Sequence, residues 1–444
     1  MHDWLAEHPE IRALRVAASD LNGVARGKRV PVASGAKALA GAMRFPRSVL
    51  NLDILGEDIA DSPLVLASGD QDGVLRPTER GFVPLPWLDT PTALLPVWMY
   101  EEDGAAFAGD PRHALAAAEA RLTALGLRAV AAVELEFFLI DDSGEGLRVP
   151  AARPSGKRRV AGEILSLHLL DEFDGFFTAL YDGCAAMGIP ADATISESGL
   201  GQFEVTLTHQ EGALKVADDA WLFKMLVKGL ARQHGMCASF MAKPYADSAG
   251  TGMHMHASLL DAAGRNVFDD GGPAGTPVLH HAIAGCLAAM PGSTLIFAPH
   301  ANSYARMVPG AHAPTGVCWA YENRTAALRV PGGPPAARRI EHRMAGGDIN
   351  PYLMLAAVLG AMANGIEDAA LPVAPITGNA YAQDLPQVPG TWAAAMDAFE
   401  TSPEIARIFS DQLRENLLLT KRQEARLMAS LTDAEQVEIY LDTV

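Results

Sequence analysis

Apolar residues change their period several times along the chain, and each change marks an element. Over residues 12–32, RALRVAASDLNGVARGKRVPV, apolar and polar positions alternate and break at Asp20–Gly23, which predicts two strands joined by a turn. The basic group Arg26–Arg29 in that run reads as a solvated turn rather than a subunit contact. Residues 50–100 carry many prolines and short β-like runs (PLVLAS, GFVPLPW, TALLPVWMY) with little helical spacing. The first hundred residues therefore predict a small, mostly β domain with a helix or two. At Asp110-Pro111 the pattern switches. Aspartate at an N-cap with proline at the first helical position starts a helix, HALAAAEARLTALG repeats its apolar positions three and four apart, and Gly126 closes it. The domain boundary is placed near residue 106, giving domains 1–105 and 106–444.

Downstream, RAVAAVELEFFLI predicts a strand. A loop and helical stretch follow at about 160–187, and a strand region, ATISESGLGQFEVTL, comes next. An amphipathic helix covers 213–234 and ends at Gly235. MCASFMAKP predicts a strand leading into KPYADSAGTGMHMHAS at 243–258. A helix is expected at about 276–289, then a Pro-, Gly- and His-rich loop at 299–316. NRTAALRVPGGPPAARRIEHRM predicts two strands around a Gly-Pro turn. Asn350-Pro351 caps a helix to about Gly365, and the last third is helical and charged.

Composition narrows the class. The chain has 444 residues, 49% apolar and 20% charged, as expected of a globular protein with a large core. A formal net charge of -18 argues against a nucleic-acid-binding face. It is compatible with cationic substrates and divalent metals. Cys184, Cys237, Cys286 and Cys318 form no CxxC pair, so buried reduced thiols are expected. No signal-peptide pattern opens the chain, and the apolar run Ala282–Pro299 is broken by Pro291-Gly292. A cytoplasmic location and no membrane span are expected.

The chemistry sits on strands. Side chains two apart share one strand face. That rule pairs Glu134 with Glu136, His254 with His256, and Arg339 with Glu341 and Arg343. Glu197 and Glu204 flank the glycine-rich SGLGQ. Taken alone, residues 243–258 are equally a hairpin with two half-buried histidines or a metal or phosphate site, and each charged strand alone reads as a solvated face. Four such runs in one region are better explained by a shared polar cavity, because an unpaired buried charge is costly. Five carboxylates and an imidazole without cysteine suit Mg²⁺ or Mn²⁺, and more than one ion is needed to balance them. Arg306, Arg324, Arg329, Arg339 and Arg343 supply guanidinium forks for phosphate and carboxylate groups, so the combination points to phosphoryl transfer.

These motifs resemble the glutamine synthetase family over nearly the whole chain. Residues 243–258 match its ATP-binding signature. Glu134-Leu-Glu136, Glu197 with GQFE to Glu204, Asn323-Arg324 through Arg329-Val330-Pro331, and Arg338–Arg343 match its other segments. The resemblance implies an α+β fold, with an N-terminal β-grasp domain and a catalytic domain whose curved antiparallel sheet is backed by helices. It implies that Glu136, Glu197 and Glu204 hold one metal, and that Glu134, His254 and Glu341 hold another. His256 and Ser258 would lie by the nucleotide, and Arg324, Arg329 and Arg339 would face its phosphates. Arg306, Arg343 and the backbone at Gly250 would bind glutamate. It further implies ATP as cosubstrate and a homo-oligomeric ring, a dodecameric double ring being expected.

Three departures bear on the nitrogen substrate. The family's ammonium-binding DGSS segment is absent, and FPRSVLNLDILGED stands in its region. The flap glutamate is replaced by His312, and the Asn of the NGxG turn by Ala249. With GKRVP, NLDILGED and ITGNAYA, these make the chain more similar to the γ-glutamylpolyamine synthetase branch. The expectation is ligation of glutamate to putrescine or a related amine through a γ-glutamyl phosphate, with His312 as a candidate base. An ammonium-using glutamine synthetase and a non-catalytic ring-forming member are the alternatives. Tyr381, where some family members carry a regulatory tyrosine, reads as an ordinary loop residue.

Overall fold

The computed structural model describes residues 2–144, 146–151, 156–308 and 313–444. The first elements form a sheet from β1 (Ala13–Ser19), β2 (Ala25–Pro31), β3 (Met43–Pro46), β4 (Asp72–Pro77), β5 (Val83–Pro84) and β6 (Thr92–Tyr100). Its order is β2-β1-β6-β4-β3, with β5 also on β6; β1 and β6 run parallel and the other pairs antiparallel. The β1–β2 turn is made by its own residues. The Asp20 carboxylate accepts from the backbone N–H groups of Asn22 and Val24, each at 2.9 Å, and Gly23 supplies the positive φ of 81°. Strand alternation sends Leu14 and Val16 into a local core with Phe45, Leu75 and Met99. Ala17, on the opposite face, joins the main core of the molecule.

Asp110 caps the helix Pro111–Ala124 as its sequence predicts, its carboxylate accepting from the Arg112 N–H at 2.8 Å. The second sheet follows: β7 (Arg128–Ile140), β8 (Ala191–Ser196), β9 (Gln202–Glu211), β10 (Cys237–Ser239), β11 (Met253–Leu260), β12 (Trp319–Tyr321), β13 (Leu328–Val330) and β14 (Ile340–His342). The order is β12-β13-β14-β11-β7-β9-β8, with β10 on the end of β7. All pairs are antiparallel except β12 with β13. Val133, Leu135 and Phe137 are fully buried on one face of β7, while the glutamates occupy the other. The buried face lies in the main core with residues of helices Ala213–Gln233, Pro277–Phe297 and Pro351–Glu367.

Two expectations change here. The helix expected at 276–289 runs on through Pro291 to Phe297. Proline removes one intrahelical hydrogen bond, but this helix lies in the core and its packing outweighs that local loss. It is long and apolar enough to cross a membrane, yet 78% of its apolar window is buried inside the protein. MCASFMAKP forms a strand only over Cys237–Ser239. The four cysteines are buried free thiols.

The long helix Asp411–Met428 returns to the first sheet. Lys421 and Glu424 are fully buried and pair at 2.9 Å; Asn22 in the β1–β2 turn donates to Glu424 at 2.7 Å and accepts from Lys421. Asn51 donates to the Thr420 hydroxyl at 2.7 Å, and Gln423 donates to Asp53 at 2.9 Å. The two ends of the chain are thereby joined through buried polar contacts.

Candidate active site

Pairing register builds the site. Across β7 and β9, Glu136 stands opposite Glu204; across β7 and β11, Glu134 stands opposite His254. His256 faces Glu341 across β11 and β14, and Arg329 faces Glu341 across β13 and β14. Directly opposed side chains share a face with Cβ atoms about 5 Å apart. Five strands thus project their ionisable side chains from one face. Glu197 lies just beyond β8, on the turn into β9.

The hydrogen bonds set the tautomers. Arg339 Nε can only donate, and it donates to His256 Nδ1 at 3.1 Å. His256 Nε2 therefore carries the proton it directs at Glu134 Oε1, 3.0 Å away. The other Glu134 oxygen accepts from His254 Nδ1 at 2.9 Å, which leaves the His254 Nε2 lone pair for a metal. Burial alone would raise Glu134, but the two imidazoles outweigh it and hold its carboxyl far below the usual range. Glu341 is likewise lowered, against burial, chiefly by Arg343. Arg329 donates to Glu341 Oε2 at 2.8 Å and Arg343 to Oε1.

For Glu136 and Glu204 the lowering contacts, Arg343 among them, are outweighed. Burial, then the charge of Glu197, pushes Glu136 up to about 8. Burial, then Glu134, Glu136 and Glu197, pushes Glu204 up to about 9. Like charges crowded out of water are the electrostatic signature of a site made for cations. Donor atoms of Glu134, His254 and Glu341 lie within 4.8 Å of one another, and so do those of Glu136, Glu204 and His254. A cradle supports them at Gly252. A Cβ there would stand 3.2 Å from Glu136 Oε1 and 3.4 Å from His254 Nε2, in the space between the donors. An oxygen-rich set with one imidazole fits hard divalent ions.

Arg306 and Arg343 are buried beside this cluster. Arg306 donates to the Met344 carbonyl at 2.7 Å, and its methylenes close on Gly250, where a Cβ would lie 2.8 Å from Cγ. Glu134, His256, Ser258 and Arg339 line one cavity of about 780 Å³ beside the carboxylates. Arg324 lies exposed on the turn between β12 and β13. His312 lies outside the described residues. Tyr381 is half-buried in a short turn, where burial raises its hydroxyl against the lowering charges of Arg343 and Arg306.

One residue beyond the expected set belongs here. Gln202 is buried, and its amide donates to Glu136 Oε2 and to the Gly250 carbonyl, each at 2.9 Å. Its own carbonyl accepts from the Gly199 N–H at 3.0 Å. It ties a carboxylate of the cluster to the glycine turn. Its place in GQFE is the signal, since Gln202 shares a strand face with Glu204 two positions on.

Comparison with known proteins agrees with this geometry. The family model "Glutamine synthetase, catalytic domain" matches residues 108–440. The gamma-glutamylputrescine synthetase PuuA of Escherichia coli is 34% identical, over 99% of this chain and 93% of its own. The glutamate–isopropylamine ligase of a Pseudomonas species is 31% identical, over 100% and 98%. The glutamine synthetase of Thermus thermophilus is 33% identical, over 93% and 92%. A solved structure of GmaS in complex with ADP superposes with a TM-score of 0.84 at 28% identity, covering 99% of both chains.

Proposed function

The chain belongs to the glutamine synthetase family, whose members form carbon–nitrogen bonds using ATP and divalent metals. From that premise we propose that it joins the γ-carboxylate of glutamate to an alkylamine, putrescine or a related mono- or polyamine, through a γ-glutamyl phosphate. The observation that carries this reading is the single sheet face on which Glu134, Glu136, Glu204 and Glu341 meet His254, with Arg329 and Arg343 paired to Glu341.

A carboxylate is a poor electrophile, and phosphorylation supplies a leaving group. A γ-carboxylate oxygen attacks the terminal phosphorus of ATP, and ADP departs. The amine nitrogen then attacks the acyl carbon, phosphate departs, and the nitrogen loses a proton. Bound at Glu134, His254 and Glu341 and at Glu136, Glu197 and Glu204, divalent ions would draw negative charge off the phosphoryl group and hold it in line. Arg306 and Arg343 bind glutamate with the Gly250 turn, while Arg329 and Arg339 face phosphate oxygens. Arg324 joins them from its exposed turn. His256 and Ser258 border the nucleotide, and His312 is the candidate proton acceptor. A primary amine has a pKa near ~10.4, so a proton acceptor is needed at neutral pH.

The amine reading rests on Ala249, His312 and FPRSVLNLDILGED, which replace groups suited to a small cation, and on the amine-ligase names of two relatives. Residues 1–105 form the β-grasp domain and 106–444 the catalytic domain, assembled as a homo-oligomeric double ring. Phosphate release from ATP with glutamate and a panel of amines tests the activity. Turnover with putrescine or another alkylamine is expected, and turnover with ammonium alone would sink the assignment. Light scattering tests the ring, which a monomer in solution would exclude.

A further inference from the structure

Residues 344–349 lead from β14 towards the helix Pro351–Glu367 and pack against the glycine turn of the site. The Met253 N–H donates to the Ala345 carbonyl at 3.0 Å, Gly252 bridges Gly346, and the Gly347 N–H donates to the Thr251 carbonyl at 3.3 Å. The packing leaves no room for a side chain. A Cβ on Gly347 would stand 2.7 Å from Thr251 Oγ1 and 3.0 Å from the Glu136 carbonyl oxygen. Lys224, on the helix Ala213–Gln233, donates to the carbonyls on either side of Asp348, to Gly347 at 3.0 Å and to Ile349 at 3.3 Å. The shape of this loop is therefore fixed from outside it.

Asp348 itself is 2% exposed. Its Oδ2 accepts from the Ser303 hydroxyl at 2.5 Å, and its Oδ1 has no hydrogen-bond partner among the described residues. Ser303 opens the short helix that ends at Arg306. Arg306 returns to the loop by donating to the Met344 carbonyl, and its Nη2 would stand 3.0 Å from a Cβ on Gly252, beside the metal donors. A buried carboxylate with an unpartnered oxygen is costly, and a neutral acceptor would serve the Ser303 hydroxyl as well. What the carboxylate adds is charge. Burial raises Asp348, against its bond to Ser303 and the charges of Lys224 and Arg306. Burial lowers Arg306, against the charges of Glu136 and then Asp348. Of those two carboxylates, Glu136 belongs to the cation cluster and would give its charge to a metal. Asp348 points away from that cluster's donor set and keeps its charge for Arg306.

We infer that Asp348 is a positioning residue for the acidic substrate: its buried charge and its bond to Ser303 hold Arg306 at the glutamate site, while Lys224 fixes the loop that carries it. Asp348 touches neither substrate nor metal and acts through Arg306 alone. This inference rests on the placement of glutamate at Arg306 proposed above and adds the groups that keep the guanidinium there once Glu136 is committed to a cation.

The test is calorimetric titration of L-glutamate into the full protein in the presence of Mg²⁺ and ADP, with the Kd of ADP as the control. Asp348→Asn, which keeps an acceptor for Ser303 and removes the charge, should weaken glutamate by ~10-fold and leave ADP unchanged. Arg306→Lys should weaken glutamate by a similar factor. In the double variant Asp348→Asn should add less than ~3-fold to the loss from Arg306→Lys, because groups acting as one unit are not additive. Should Asp348→Asn fail to fold, Ser303→Ala, which keeps every charge, carries the same comparison against Arg306→Lys. Glutamate affinity unchanged in Asp348→Asn, equal weakening of ADP, or fully additive losses overturns the positioning role and leaves the ligase reading standing. Arg306→Lys without effect on glutamate, or no glutamate binding to the native protein, overturns the placement of glutamate and the inference with it.

Discussion

At the scale of single residues, the site works by giving chemically similar groups different surroundings. Glu134 is flanked by two imidazoles and stays ionised, whereas Glu136 and Glu204 face other carboxylates and rise to about 8 and about 9. Both therefore hold protons near neutrality in the metal-free protein, and a bound dication must displace them. Mg²⁺ affinity should increase as pH rises from about 7 to about 9, as the raised values of Glu136 and Glu204 require, with proton release on binding. Calorimetric titration in two buffers of different ionisation enthalpy measures that release; identical heats in both would contradict it. Gln202 offers a second check. Replacing it with leucine removes the amide shared by Glu136 and Gly250, and partners of this kind are worth about 10–100-fold in metal affinity or activity. Gln202→Leu should weaken both Mg²⁺ and glutamate binding. A change confined to kcat would point to another role.

At the scale of elements, local signals and long-range packing divide the work. The cap at Asp110 and the turn at Asp20–Gly23 form where short-range chemistry places them, because each is completed by atoms within four residues. The helix Pro277–Phe297 does not end at its proline, because packing buries most of its length. Its closest contact is with Pro351–Glu367. A Cβ on Gly285 would stand 2.0 Å from the Ala361 carbonyl oxygen, and one on Gly365 2.0 Å from that of His281. Gly365→Ala gains about 1 kcal/mol of helix propensity. The clash is with backbone, however, and overpacking costs about 1–3 kcal/mol, so the variant should be net destabilised. A denaturant midpoint at or above the native one would show that the helices separate freely.

At the scale of the whole molecule, Asn22 in the β1–β2 turn joins the first sheet to the last long helix by bonding to a buried ion pair of that helix. Lys421 and Glu424 are fully buried, with Asn22 bonded to both. Removing one partner of such a pair strands the other charge, at a cost of about 3–5 kcal/mol. Lys421→Met should therefore lower stability by roughly that amount, and adding Glu424→Gln should recover much of it. Thermal unfolding of the single and double variants measures this, and equal losses in both would exclude a stranded carboxylate as the cause.

The sequence alone determined much of this protein. Strand periodicity placed Glu134 with Glu136 and His254 with His256, and the cap and turn residues located the helix after Asp110 and the first hairpin, since both depend on neighbours a few positions away. Motif order identified the family. Only the tertiary structure decided which strands lie side by side. Register set Glu136 against Glu204 and Glu134 against His254, and that pairing divided carboxylates of one residue type into ionised and protonated groups. The role of Gln202, the passage of a helix through Pro291 and the burial of Lys421 were also decided there. Each depends on atoms brought from distant parts of the chain, and local pattern carries no information about those distances.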